Sequence, residues 1–417
     1  MAVSSDPPRE SFRLGMLLYD TRYRAVTIQV VALIGFMLLV AWLVDNTLNN
    51  LAILGKPLGF GFLANPSGYD INQSLIAYNS QNTHLRAAAI GLMNTLVVAA
   101  IGCALATLLG VVIGVLRLSK NWIVARLMSI WIEGFRNVPV LLWIVFFMAV
   151  MIQTLPEPRA FRSGDAAMLF SESVAITNRG VYIPEPLFAH GLGDIPVAGG
   201  LFFISADLIA FLAALIAGVL LAGWLKRRAD RIQEATGERP ATWHVRLASV
   251  VLPPALVLVA LGFHLGYPEL RGFNFQDGIH LRNSLLALTL ALALYTSAFI
   301  AEVVRAGILS VSHGQTEAAY ALGLRPNRTM NLIILPQALR VIIPPLISQY
   351  LNLTKNSSLA IAVGYMDITG TLGGITMNQT GRELECVMLL MLCYLAISLS
   401  VSAVMNWYNN RVKLVER

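Results

Sequence analysis

Residues 317–336 read EAAYALGLRPNRTMNLIILP and lie between two apolar segments, 283–301 and 341–354. Residues 315–322 are mostly good helix formers. Gly323 offers a backbone that can leave a helix in the left-handed conformation. Pro336 suits the first turn of a following helix. Glu317, placed near the start of the short helix, favours the helix dipole and leaves a carboxylate for a basic partner. Ala318 and Ala319 are small enough to let another backbone come close. The stretch therefore predicts a short surface helix with a small-residue face, set between two membrane spans.

The rest of the composition agrees with a membrane setting. Of 417 residues, 56% are hydrophobic and 13% charged, against roughly 25% charged in soluble domains. Mean hydropathy is +0.67. Cys103, Cys386 and Cys393 fall inside apolar runs without a CxxC or Cys/His pairing, so they read as small core residues. Arg9, Arg13, Arg22 and Arg24 precede an apolar run at 25–44 that ends at Asp45-Asn46. A cleaved signal peptide has a shorter apolar core and a small-residue cleavage site, so this run is expected to be a retained helix.

A spanning helix needs about 20 mostly apolar residues. Segments 25–44, 87–116, 137–156, 247–268 and 386–410 meet that length, while 208–225 and 283–301 are shorter. Segment 341–354 becomes long enough when extended through Arg340 and Lys355. About eight spans and two cytoplasmic termini follow. With the N-terminus inside, inner segments carry 18 Lys/Arg and the longer outer segments carry 8. This is the positive-inside bias, and it absorbs the net charge of +7 without a nucleic-acid partner.

The outer stretch 154–203 holds Glu157, Asp165, Glu172, Glu185 and Asp194 against three arginines. Its length leaves two readings open: a folded cap or docking loop, or a partly mobile linker. The basic loop 226–246 reads as a solvated hairpin near lipid headgroups. No Walker A, HExxH, GxSxG or metal-ligand cluster is present, and His264 is expected inside a span. The chain is therefore expected to be no enzyme, with no cofactor or metal of its own.

Polar groups inside spans are costly and mark candidate function. Glu302 and Arg305, at i and i+3, are expected to form a local ion pair at the inner end of their helix, with substrate contact by Glu302 as the alternative. Arg136, Asn137 and Pro139 mark a broken span and a structural hinge. Asn352, Lys355, Asn356, Ser357 and Ser358 are five polar residues in seven at a span end. They suit a re-entrant turn along a cavity whose amides, hydroxyls and ammonium could cradle an amino acid, or they satisfy a broken helix.

The pattern Glu317-Ala318-Ala319, Gly323, then Ile333-x-Leu335-Pro336 resembles the cytoplasmic coupling loop of bacterial ABC importer permeases. Tyr295-Thr296-Ser297-Ala298-Phe299-Ile300-Ala301-Glu302 resembles the helix leading into that loop in polar amino-acid permeases. Phe135-Arg136-Asn137-Val138-Pro139 is similar to their Phe-Arg-Gly-x-Pro turn, with Asn137 in place of glycine. Leu353-Thr354-Lys355-Asn356-Ser357-Ser358-Leu359 is similar to their Leu-Lys-x-Thr/Ser-Ser-Leu segment, with Thr354 inserted. The match covers 88–155 and 283–417. Segment 1–87 adds a span and an outer loop, and 156–282 is an insertion with two more spans. Long forms of this kind resemble the first membrane subunit of general L-amino-acid importers.

The resemblance implies an all-α, polytopic, type I ABC importer fold in a bacterial inner membrane. It also implies a binding-protein-dependent permease that takes up L-amino acids by ATP-driven alternating access. Implied partners are two ATP-binding subunits holding ATP and Mg, a second and related permease, and a periplasmic amino-acid-binding protein, all around the lipid bilayer. An ion-coupled secondary amino-acid transporter and a structural scaffold are the other classes considered.

Overall fold

The computed structural model describes residues 16–170, 172–197 and 202–412; Arg9 and Arg13, with Lys413 and Arg417 of the basic tail, lie outside them. The chain divides into two compact units, Met1–Phe62 and Leu63–Arg417. The first contains one long helix, α1 (Thr21–Ile53), apolar enough to cross a bilayer.

The second unit begins its spans with α2 (His84–Arg117), α3 (Trp122–Asn137) and α4 (Val140–Thr154). An outer insertion follows: strands β1 (Ala175–Thr177), β2 (Gly180–Ile183), β3 (Glu185–Phe188), β4 (Asp194–Val197) and β5 (Phe202–Ser205). Two long helices, α5 (Ala206–Thr236) and α6 (Trp243–Ala260), lead to β6 (Phe263–Gly266), β7 (Glu269–Arg271), β8 (Asn274–Gln276) and β9 (Ile279–Arg282). The chain then forms α7 (Asn283–Leu309), the short α8 (His313–Ala321), α9 (Leu335–Asn356) and α10 (Glu383–Val412). Among the described residues seven helices are long and apolar enough to span, and α3 with α4, bent by 104°, makes an eighth. The polytopic helical class and the span count agree with the sequence.

At the centre lies α7, with 72% of its apolar window buried inside the chain. Its neighbour α2 reaches it through glycines rather than large side chains. A methyl group at Gly110 would stand 2.6 Å from Ile300 Cβ and 2.9 Å from the Ser297 carbonyl oxygen. At Gly114 it would stand 2.7 Å from the Ala301 carbonyl oxygen. Gly110 and Gly114 are spaced as GxxxG, and Ala298 and Ala301 on the facing helix are fully buried. Association inside a bilayer gains little from the hydrophobic effect, so close van der Waals packing of small residues carries it.

The outer insertion folds as hairpins. β1, β2 and β9 form a three-stranded antiparallel sheet, and β3–β6, β4–β5 and β7–β8 form two-stranded pairs. Tyr182 lies opposite His280, and Leu187 opposite His264, so the two ends of the insertion pair across the α5–α6 hairpin. Tyr182 and Phe275 bury their rings together, 5.3 Å apart. The folded-cap reading of 154–203 is the one observed. Strand β9 runs directly into α7, which ties the outer sheet to the central span.

Two expectations need correction. The span expected at 247–268 stops at Ala260, because Gly262 at φ +66 turns the chain out of the helix. His264 consequently sits exposed on a strand, not in a span.

Replacing Gly110 with Leu is expected to force α2 off α7, an overpacking cost of about 1–3 kcal/mol. The thermal midpoint of the purified protein in detergent should fall by several degrees. Gly134→Ala, where a methyl group meets nothing within 4 Å, should leave it unchanged.

Candidate functional site

The residues singled out from the sequence occupy three places. The first is the connector between α7 and α9. Its helix α8 ends in a Schellman arrangement: Leu324 N–H donates to the Ala319 carbonyl at 3.1 Å, and Gly323 N–H to the Tyr320 carbonyl at 2.9 Å. Gly323 takes φ +73, the left-handed exit its position predicted. Pro336 stands in the first turn of α9, as expected.

Glu317 is exposed, but α8 starts at His313, so the carboxylate lies a turn inside the helix rather than at its start. Its partner is the His313 ring, whose Nδ1 lies 3.0 Å from Oε1. This local pair replaces the expected dipole contact. The small-residue face is also narrower than expected. Ala318 is exposed, whereas Ala319 is buried and packs inward. The sequence reading missed Tyr320 and Leu322, which are 50% and 81% exposed beside Ala318. Large apolar side chains on a polar connector were the available signal.

The second place is the inner end of α7. Glu302 and Arg305 pair at 3.1 Å, as their spacing predicts. Glu302 also pairs with Arg117 at the end of α2 and stands 3.9 Å from Arg136 at the end of α3. One carboxylate thus gathers three guanidinium groups from three helices. The Arg136 guanidinium additionally lies 5.1 Å over the Phe299 ring of α7. Between Asn137 and Pro139 the helix breaks, and the 104° bend occurs there. The hinge residues and Glu302 therefore belong to one cluster, with Arg117 added by the structure.

The third place is the outer end of α9. After Asn356 the chain forms a 3₁₀ turn over Ser357–Val363, reverses at Gly364 (φ +68), and continues as wide helical turns over Thr369–Thr376. Ser357 and Ser358 hydroxyls donate to the carbonyls of Thr354 and Lys355 at 2.7 and 2.8 Å. These two serines satisfy the broken helix, the rival explanation raised for them. Asn352 and Lys355 are exposed on this chain and Asn356 is partly so, which leaves them available to a solute or a second subunit.

The sequence reading also missed Asp367. It is fully buried, with Oδ1 accepting from Gly370 N–H at 2.8 Å and Oδ2 from the Tyr394 hydroxyl at 3.3 Å. Asn94 of α2 donates through one amide group to the carbonyls of Gln73 (2.7 Å) and Met366 (2.8 Å). Thr95 Oγ1 accepts from Ile368 N–H at 3.1 Å. The irregular segment beyond Gly364 is thereby bolted to α2 and α10. An acid inside an apolar, glycine-rich stretch was the sequence signal. Among the described residues no group of three or more His, Cys, Asp or Glu is placed to hold a metal.

Comparison with known proteins agrees with this geometry. Residues 210–414 match the family described as binding-protein-dependent transport system inner membrane component. The chain is 54% identical to the glutamate/glutamine/aspartate/asparagine transport system permease protein BztB of Rhodobacter capsulatus, over 100% of both chains. It is 42% identical to the general L-amino acid transport system permease protein AapQ of Rhizobium johnstonii, over 98% of this chain and 96% of that one. The putative amino-acid ABC transporter permease protein YhdX of Escherichia coli is 43% identical, over 94% and 95% respectively. Similarity of this strength along the full length, joined to eight candidate spans, places the chain among the binding-protein-dependent permeases of ABC transport systems.

Proposed function

We propose that this chain is the membrane-spanning permease subunit through which a bacterial inner-membrane importer carries L-amino acids into the cell. The observation that carries the mechanism is the bare α8 helix. Ala318, Tyr320 and Leu322 are open on it while Ala319 anchors it inward. Exposed apolar residues on a short helix at the basic, inner side suit the groove of a motor subunit. Two such subunits, with their own ATP and Mg, would supply the work.

Movement of α8 reaches the spans through covalent continuity with α7 and α9. The Glu302 cluster lies back along α7, where it grips α2 and the α3–α4 bend. Closure of the motors would thus turn several helices together, the rigid-body form of alternating access. Similarity to permeases named for glutamate, glutamine, aspartate, asparagine and general L-amino acids supports the substrate class. A second permease chain would face the exposed side of α9, and a periplasmic binding protein would deliver the solute. Asn352, Lys355 and Asn356 are the residues of this chain best placed along such a path.

Three substitutions test this reading in membranes carrying the complete transporter. Glu317→Lys should cut ATP-driven uptake of radiolabelled glutamine by about tenfold, the scale of a coupling free energy, with normal amounts of permease in the membrane. Full-rate uptake would remove the coupling role. Glu302→Gln leaves three arginines without their carboxylate, so it should lower both the thermal midpoint and uptake; an unchanged variant would disconnect the cluster from transport. Asn356→Ala should slow uptake while the subunits still copurify. Uptake that survives ATP depletion but collapses with an uncoupler would favour an ion-coupled carrier instead.

A further inference from the structure

At the outer end of α7 lies a cavity of about 410 Å³ that the coupling machinery does not use. Its walls include Asn178 and Arg179 of the β1–β2 turn, His280 and Arg282 of β9, Asn283 at the start of α7, and Gly364 of the re-entrant segment. It therefore joins the outer sheet to the turn that follows the polar residues of α9. Among the described residues no aspartate or glutamate lines it.

Three of its residues carry buried polar atoms without a hydrogen-bond partner among the described residues: Asn178 Oδ1, Arg282 Nε and Asn283 Oδ1. Asn283 is only 3% exposed. The orientation of its amide is set, because Nδ2 donates to the Asn178 carbonyl at 2.5 Å and the other end must be the oxygen. Buried polar atoms in folded proteins are nearly always paired, and an orphan is an unmet demand for a partner. Three on one cavity are a demand with a pattern: two acceptors beside a guanidinium donor.

The surroundings are firm and positive. His280 stacks on Tyr182 with ring centroids 4.2 Å apart and planes within 6°. Its Nε2 lies 3.1 Å from the Arg179 carbonyl, to which it donates. Burial holds this imidazole below its ordinary range, so it is uncharged at neutral pH and the cavity's charge comes from the two arginines. Gln73 fixes β9 from the side, accepting from Arg282 N–H at 3.1 Å and donating to the His280 carbonyl at 3.3 Å. The N-terminal end of the 27-residue α7 adds its partial positive charge.

We propose that this cavity is an outer reception site for the transported amino acid, its carboxylate held by Arg282 and its ammonium by the amide oxygens of Asn178 and Asn283. The assignment rests on the reading of the chain as an amino-acid permease. It also accounts for the inserted hairpins, which build the wall that receives a zwitterion before it passes Gly364 into the span.

The proposal is tested by scintillation-proximity binding of tritiated L-glutamine to the complete membrane complex in nanodiscs without binding protein, run beside uptake by the full system. Wild type should bind saturably. Arg282→Gln should weaken binding by about tenfold or more, Asn283→Ala by about fivefold, and Arg282→Lys should recover most of the loss. Glutamine amide, which lacks the α-carboxylate, should fail to compete. Equal binding by all variants overturns the proposal. So does a loss that Arg282→Lys does not repair, or uptake without detectable binding. Absence of uptake by wild type would overturn the amino-acid reading itself, and the site with it.

Discussion

The architecture depends on how closely α2 approaches α7. Gly110 and Gly114 leave no room for a Cβ against Ile300 and Ala301, so the backbones nearly touch. In a bilayer, where burying an apolar side chain gains almost nothing over lipid, such shape matching is the main source of helix cohesion. With α2 seated, its polar residues Asn94 and Thr95 reach the irregular segment beyond Gly364, and its last residue, Arg117, reaches Glu302. Both ends of the transport unit are therefore registered by one glycine seam.

Charge is used sparingly, at the ends of helices rather than along them. Glu302 meets three arginines at the inner end, where water access keeps the desolvation cost of an ion cluster modest. Deeper in, Asp367 accepts hydrogen bonds from a backbone amide and from Tyr394. The first arrangement can be rebuilt as helices shift, because its partners come from separate elements. The second stiffens a segment that has lost regular helical bonding.

Much of this was legible in the sequence. Apolar run length yields the spans, basic residues orient them, and Gly323 and Pro336 bracket α8 because their backbone preferences act locally. The break at Pro139 and the Glu302–Arg305 pair are local as well. What escaped were contacts between distant segments. The meeting of Arg117 and Arg136 on Glu302 depends on the α2–α7 seam, and its Gly110–Gly114 spacing acquires meaning only beside Ala301. The outer strands are three or four residues long and pair across about a hundred residues, as Tyr182 does with His280, so no periodic pattern announces them. The inward turn of Ala319 shows the same limit, since one helix face was known to be small but not which residue faced the protein.

The central claim is that α8 is the seat of a separate motor subunit, and cysteine cross-linking tests it most directly. Ala318→Cys, in a chain whose Cys103, Cys386 and Cys393 are replaced, should form a bond to the copurified ATPase subunit and lose reactivity with a soluble maleimide. A residue at 318 that stays freely labelled in the assembled transporter, with no cross-link to any nucleotide-binding chain, would contradict it.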